Sequence, residues 1–387
     1  MKKLNKLFAI LVAMAMVLSL GVVSAFALDA ATDDQKAAKF VLTKNLEMPA
    51  GTNVPAGAVF SYTATATAES ATPSPSITIP DITFAATDTT TTNTDGNLVA
   101  TRSLENIFAS VTAPGKYVYE IKETSGTNDT RAAANNETFT YDPTIFTVRI
   151  YVDANHNQTF TITEKTTTTE EAKDEVKVID GVKTAVADFD NTYVKSKVVN
   201  PNGDKDNPAN DSTGYAFEKF IENDAGGLYT NQDWVFTVTF DIPDLSTKDG
   251  YNYEVWTVGT TGDEGTAAKV SGPTKLTSGQ TITLKAGQRA VFTDLDVGAK
   301  VNVKEADTDN ITEGAKLNDV AYNIIEGDDV DIEQDTTEYL KVTNTSTQST
   351  TPEGILISNL PYIALALVAI GGLVAYVVIR RRNADEA

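Results

Sequence analysis

"FVLTKNL", residues 40–46, sets a lysine into an apolar alternation. Side chains two apart along a β-strand share a face, so Phe40, Leu42, Lys44 and Leu46 point the same way. That face is apolar except for one ammonium. Burying an unpaired charge is costly enough that the group gives up its proton instead. Such a strand implies either a neutral amine inside a β-sandwich or a lysine that lays its stem on the core and carries its head out to water.

The surrounding sequence favours a sandwich. Short alternating runs rich in Thr, Val, Tyr and Phe are separated by Gly, Pro, Asn and Asp, as in Phe60-Tyr62-Ala64, Phe146-Val148-Ile150 and Trp234-Phe236-Val238-Phe240. No helix stands out ahead of residue 360. The stretch "VVNPNGDKDNPANDSTG", residues 198–214, is polar and aperiodic, which places a domain boundary there. The reading is a signal peptide at 1–27, a first β domain at 28–197, a linker at 198–212, a second β domain at 213–347 and a C-terminal region at 348–387.

The two halves repeat one another. "YAFEKFI", residues 215–221, matches "FVLTKNL" and puts Lys219 in phase with Tyr215, Phe217 and Ile221. "PGKYVYEIKE" (114–123) and "VGAKVNVKE" (297–305) are both a Gly turn feeding an alternating strand. They end on Glu123, in phase with Tyr117, Tyr119 and Ile121, and on Glu305, in phase with Val301 and Val303. "ADFDNTY" carries Asn191 on the face of Phe189 and Tyr193, and "YLKVTNT" carries Asn344 on the face of Leu340 and Val342. Each half therefore has one Lys, one Glu and one Asn directed into an apolar core. For the second lysine, Lys195 and Lys197 in "TYVKSKVV" are alternatives closer in sequence to Asn191, on an amphiphilic rather than apolar face.

The chemistry open to these three groups in a dry core is amide exchange. Desolvation lowers the lysine pKa and raises that of the glutamate, leaving a nucleophilic amine beside a carboxylic acid. The acid polarises the Asn carbonyl and relays the amine proton to departing ammonia, giving a Lys-Asn isopeptide bond. Folding supplies the proximity, so no external enzyme is required.

On these residues the chain resembles the two-domain backbone pilins of Gram-positive bacteria, with "LTKNL", "YEIKE", "FDNTY" and "VTN" as its motifs. The resemblance covers residues 40–344 and extends to the C-terminal sorting region. It implies tandem CnaB-type, inverse-immunoglobulin sandwiches. It also implies that Lys44 joins Asn191 and Lys219 joins Asn344, with Glu123 and Glu305 as the catalysts. It further implies a structural subunit of a pilus or surface fibre, with a pilin-type sortase, other copies of itself, peptidoglycan or a basal pilin, and a host ligand as partners. The competing reading is a monomeric wall-anchored adhesin using the same sandwiches as a stalk.

The ends agree with a surface location. Lys2, Lys3 and Lys6 precede an apolar run that closes on Ala25-Phe26-Ala27, as in a secretory signal. Residues 360–379 carry no charge and precede Arg380, Arg381 and Arg382, as in a membrane helix with its tail inside. Between lies "TTPEG", in which Thr351, Pro352, Glu353 and Gly354 hold the place of a sortase sorting motif. Glu353 stands where the family has Thr. A subunit-linking lysine is sought among Lys173, Lys177 and Lys183, with Lys183 in the turn-like "DGVKTA" preferred.

Composition narrows the rest. A net charge of −22 argues against nucleic-acid binding. A chain without cysteine and with a single histidine, His156, has no basis for Cys-His, Ser-His-Asp or zinc chemistry. No cofactor motif is present, and the threonine-rich and acidic runs read as solvated loops.

Overall fold

The computed structural model describes residues 36–166, 169–171, 176–197, 215–222, 229–257, 268–306, 311–317, 320–322, 329–334 and 338–346. The expected signal peptide at 1–27, the stretch 198–214, Lys173, the expected sorting motif at 351–354, the apolar segment 360–379 and the arginines 380–382 lie outside them. Among the described residues no helix is long and apolar enough to cross a membrane.

Among the described residues two pairs of sheets form the two halves, with a small two-stranded sheet, Val59–Phe60 with Ile82–Thr83, beside the first pair. In the first half one sheet runs Val176–Ile179, Val182–Lys195, Lys39–Met48, Leu98–Glu105 and Thr90–Thr92, with Glu137–Thr140 also along Val182–Lys195. Facing it are Thr169–Glu171, Gln158–Thr166, Thr144–Val152, Gly115–Glu123 and Tyr62–Ala66. The second half repeats the plan. Its larger sheet centres on Gln288–Phe292, Tyr215–Glu222, Glu338–Ser346 and Ile311–Leu317; the smaller is Gln280–Leu284, Trp234–Asp241, Lys300–Glu305 and Val330–Asp331.

Alternation sets which face is buried. Lys39–Met48 buries every second side chain and so does Trp234–Asp241, each closing one face of its core. A slip of one residue would turn the whole apolar set outward, so the register is fixed by burial. The cores are separate. Phe40, Phe108, Tyr119, Phe146 and Phe189 belong to the first; Phe217, Trp234, Phe236, Tyr251 and Phe292 belong to the second. Edge-to-face ring pairs such as Phe146–Phe189, 5.0 Å apart, add specificity beyond burial.

In both halves the first long strand lies parallel to the last. Lys39–Met48 pairs with Val182–Lys195, and Tyr215–Glu222 pairs with Glu338–Ser346. A parallel pair cannot be closed by a hairpin, so all the remaining strands of each half lie between its two members in sequence. A hairpin turns at His156, with φ 67° there, and another at Asp180-Gly181, with φ 51° and 77°. One element was not foreseen. Asp129–Asn135 is a short helix, ended by Asn136 in the left-handed region. Its seven residues are too few to give a 3.6-residue pattern in the sequence.

The halves meet at a built joint. Ser196, just beyond the last strand of the first half, makes an antiparallel bridge to Asp296, with Lys197 N–H donating to Leu295 O at 2.7 Å and Val297 N–H to Lys195 O at 2.8 Å. Asp296 is 1% exposed, and its carboxylate accepts from Ser196 Oγ at 2.8 Å, Lys248 Nζ at 2.7 Å and Ser246 Oγ at 2.5 Å. Close by, Gly298 has φ +88°, and a Cβ there would lie 2.7 Å from Pro49 Cβ, so only glycine allows that approach.

Asp296→Ala would strip Lys248 and two hydroxyls of their shared acceptor. The expected cost is about 3 kcal/mol, the lower end for a broken buried pair because Lys248 is partly exposed. Hydrogen exchange should show the amides of Lys197 and Val297 losing protection. Unchanged protection would mean that the joint does not depend on Asp296.

Candidate functional site

The three polar residues of the first half meet in its core, and in the second Lys219 meets Glu305 while Asn344 is buried on the neighbouring strand. Lys44 and Asn191 lie on adjacent parallel strands, where Lys44 is level with Phe189 and Leu46 with Asn191. The two side chains thus share a face one pleat repeat apart, about 6.6 Å along the strand, which a lysine stem spans. Glu123 arrives from the facing sheet, level with Tyr62. Lys44 Nζ stands 3.2 Å from each Glu123 oxygen, and both side chains are fully buried. The ammonium head also lies 4.9 Å from the Phe60 ring centroid.

Asn191 completes the first triplet. Its Nδ2 donates to Glu123 Oε1 at 2.9 Å, and its Oδ1 accepts the backbone N–H of Asp142 at 2.8 Å. A backbone N–H can be met only by an acceptor, so this contact fixes which end of the amide is oxygen. The arrangement differs from the sequence expectation in one respect. Glu123 sits on the amide nitrogen, while the carbonyl oxygen belongs to Asp142 N–H.

The second triplet repeats the first in register. Lys219 is level with Val342, and Ile221 with Asn344, the same two-residue offset. Lys219 Nζ lies 2.7 Å from Glu305 Oε1 and 4.1 Å from the Trp234 ring centroid. Glu305 is level with Phe236 on the neighbouring strand, as Glu123 is with Tyr62. Lys219 and Asn344 are completely buried and Glu305 is 2% exposed. Lysines 195 and 197 are elsewhere. Lys195 Nζ stands 4.0 Å from Glu137, and Lys197 is part of the joint.

Other sequence candidates scatter. Lys183 is half-buried on a strand, level with Val178, rather than in the turn itself, because the hairpin turns at Asp180-Gly181. Lys177 pairs with Asp188. His156 Nδ1 is 2.7 Å from Thr112 O, a contact that holds a turn. The residue the sequence reading missed is Asp142. Its signal, "YDPT" ahead of a strand, reads as an ordinary Asx-Pro turn and says nothing of a partner 49 positions away.

Residues 217–351 match a family model described as a domain of unknown function, DUF7601. No curated protein matches the chain. Among solved structures, it is similar to the major pilin T-13 of Streptococcus pyogenes at 16% identity and a TM-score of 0.31, covering 81% of this chain and 99% of that one. Another major pilin from Streptococcus pyogenes gives 17% identity, 80% and 99% coverage and a TM-score of 0.29. A pilus-presented adhesin gives 14% identity, 53% and 36% coverage and 0.25.

The electrostatics favour neutral partners. Burial pulls Lys44 from its usual 10.5 down to about 8, against the opposing pull of Glu123. Burial likewise raises Glu123, against Lys44 and the Asn191 hydrogen bond. In an Asn191→Leu chain, where both groups stay free to titrate, the unfolded state binds more protons at Lys44 between pH 8 and 10.5. Stability of the first half should therefore rise across that window, by about 3 kcal/mol at most. Glu123 gives the opposite slope from its usual 4.5 upward, since there the folded state holds the proton. Thermal melts in steps of pH would check both, and a flat profile above pH 8 would show Lys44 charged in the core.

Proposed function

We propose that the chain is a structural subunit of a Gram-positive pilus or surface fibre, built from two CnaB-type sandwiches that each close themselves with a Lys-Asn isopeptide bond. One observation carries the reading. The same Lys-Glu-Asn triplet occurs twice, fully buried, with the same two-residue offset across the same parallel first-to-last strand pair. A buried lysine, glutamate and asparagine are each expensive to desolvate, and a fold that needed only cohesion would place apolar residues there. Duplication of all three in register is explained by a reaction that consumes the amine and the amide.

The topology says what such a bond does. In a parallel pair, tension applied ahead of the first strand and beyond the last slides one strand along the other in shear. A bond from Lys44 to Asn191 passes that force across at once, so residues 45–190 are relieved of it. The second bond does the same from Lys219 to Asn344. Between them lies the Ser196–Asp296 joint, which ties the end of the first asparagine-bearing strand to the turn leading into the Glu305 strand. A cysteine-free extracellular fibre obtains its covalent closure in this way, with chain-entropy stabilisation of about 5 kcal/mol for each long loop.

Anchoring belongs to the same proposal. A sortase acts on Thr351, Pro352, Glu353 and Gly354, and a lysine near the first half's last strand, Lys183 by preference, accepts the next subunit. The protein then stands on the cell surface or wall, first held by residues 360–379.

Intact-mass measurement on protein made without any sortase should show a deficit of two ammonia molecules, and an unshifted mass would falsify the isopeptide reading. In Glu123→Ala the deficit should fall to one while the second half keeps its bond. Lys44→Met keeps the stem in the core but removes the amine. It should lose the same single ammonia and up to about 5 kcal/mol of thermal stability, whereas a lysine with no covalent partner would leave the mass deficit unchanged.

A further inference from the structure

The contact between Asp142 and Asn191 has no use in a resting core that any other donor would not serve. It is nevertheless held from three sides. Asp142 Oδ1 accepts the N–H of Thr144 at 2.8 Å, Asp142 Oδ2 accepts the N–H of Asp190 at 2.8 Å, and Asp142 N–H donates to Asn191 Oδ1 at 2.8 Å. Pro143 follows, which steers Asp142 away from helical backbone. The residue thus grips the asparagine-bearing strand twice, at the backbone of position 190 and at the side chain of position 191. A donor fixed before the reaction and aimed at the oxygen on which charge develops is what stabilises a tetrahedral intermediate.

The geometry points to the backbone N–H of Asp142 as the oxyanion donor for bond formation at Asn191, with the Asp142 carboxylate as the positioning group that aims it. The step rests on the isopeptide reading above and balances as follows. The neutral Lys44 amine attacks Asn191 Cγ, and the carbonyl electron pair moves to Oδ1, which Asp142 N–H holds. One Nζ proton passes through a Glu123 oxygen to Nδ2, which already donates to that carboxyl at 2.9 Å. The Cγ–Nδ2 bond then breaks, the oxygen pair restores the carbonyl, and ammonia leaves with the proton that came from Lys44. Glu123 therefore serves the entering and leaving nitrogens and Asp142 serves the oxygen, a division that places one group on each end of the amide.

The test is kinetic and has a control within the same molecule. The full chain is made in a cell-free system, sampled over time, and the two crosslinked peptides are quantified separately by mass spectrometry. In Asp142→Ala, which keeps the N–H but loses the carboxylate that aims it, the Lys44–Asn191 bond should form at least about 10-fold more slowly, up to the 10²- to 10³-fold seen when an oxyanion donor is removed outright. The Lys219–Asn344 bond should keep its parent rate. Asp142→Asn, which retains one acceptor oxygen for a neighbouring N–H, should fall between. Because the Asp142 carboxylate raises the pKa of both Lys44 and Glu123, its loss should move the pH midpoint of the first rate down, and the rates are compared at each variant's own maximum. An unchanged first rate in Asp142→Ala, or in Asp142→Asn should the alanine variant not fold, overturns the assignment. So does an Asp142→Asn rate no faster than that of Asp142→Ala, which marks a general loosening of the core. A parent chain that loses no ammonia defeats the isopeptide reading itself, an outcome separate from either of these.

Discussion

A lysine ammonium and a glutamate carboxyl, each removed from water and set 3.2 Å apart, is the constraint on which the first half of this molecule turns. Leaving either one alone in the core would cost several kcal/mol, and pairing them recovers only part of that. The fold therefore has to deliver Glu123 from one sheet to Lys44 on the other in every folded molecule. That requirement fixes how the sheets face each other and which face of each strand turns inward. The second half meets the same requirement with Lys219 and Glu305 at 2.7 Å.

On the proposed reading, the asparagine is what turns such a pair from a packing problem into chemistry. In the first half its amide is held at both ends, the nitrogen by Glu123 and the oxygen by the backbone of Asp142. Aromatic rings close the pocket, Phe60 over Lys44 and Trp234 over Lys219, giving a cation some attraction while excluding water. An amine whose pKa falls to about 8 is partly neutral under ordinary conditions, so a nucleophile is available without any base beyond its neighbour.

The parallel first-to-last strand pair connects this chemistry to mechanics. It places the Lys and Asn two register positions apart in both halves and puts the two ends of each half at opposite ends of one strand pair. The joint at Asp296 continues that line from one half to the next through a β-bridge to Ser196, backed by the Asp296–Lys248 pair. Chemistry, topology and joint thus lie along one path through the molecule.

Much of this was legible in the residues themselves. Period-two alternation set the strands, and a charged or amide side chain in phase with apolar ones marked Lys44, Glu123, Asn191, Lys219, Glu305 and Asn344, because burial of a polar group breaks an otherwise regular pattern. The duplication made each triplet evidence for the other. Four things were decided only by the tertiary structure. Lys219 rather than Lys195 or Lys197 lies on the strand paired with that of Asn344, two register positions from it, since that depends on which strands pair and not on sequence distance. The short helix at Asp129–Asn135 and the Ser196–Asp296 joint leave no periodic trace. Asp142 acts through a backbone N–H, a group every residue but proline carries, so no side-chain type could announce it; only the folded path of the chain brings that donor to Asn191.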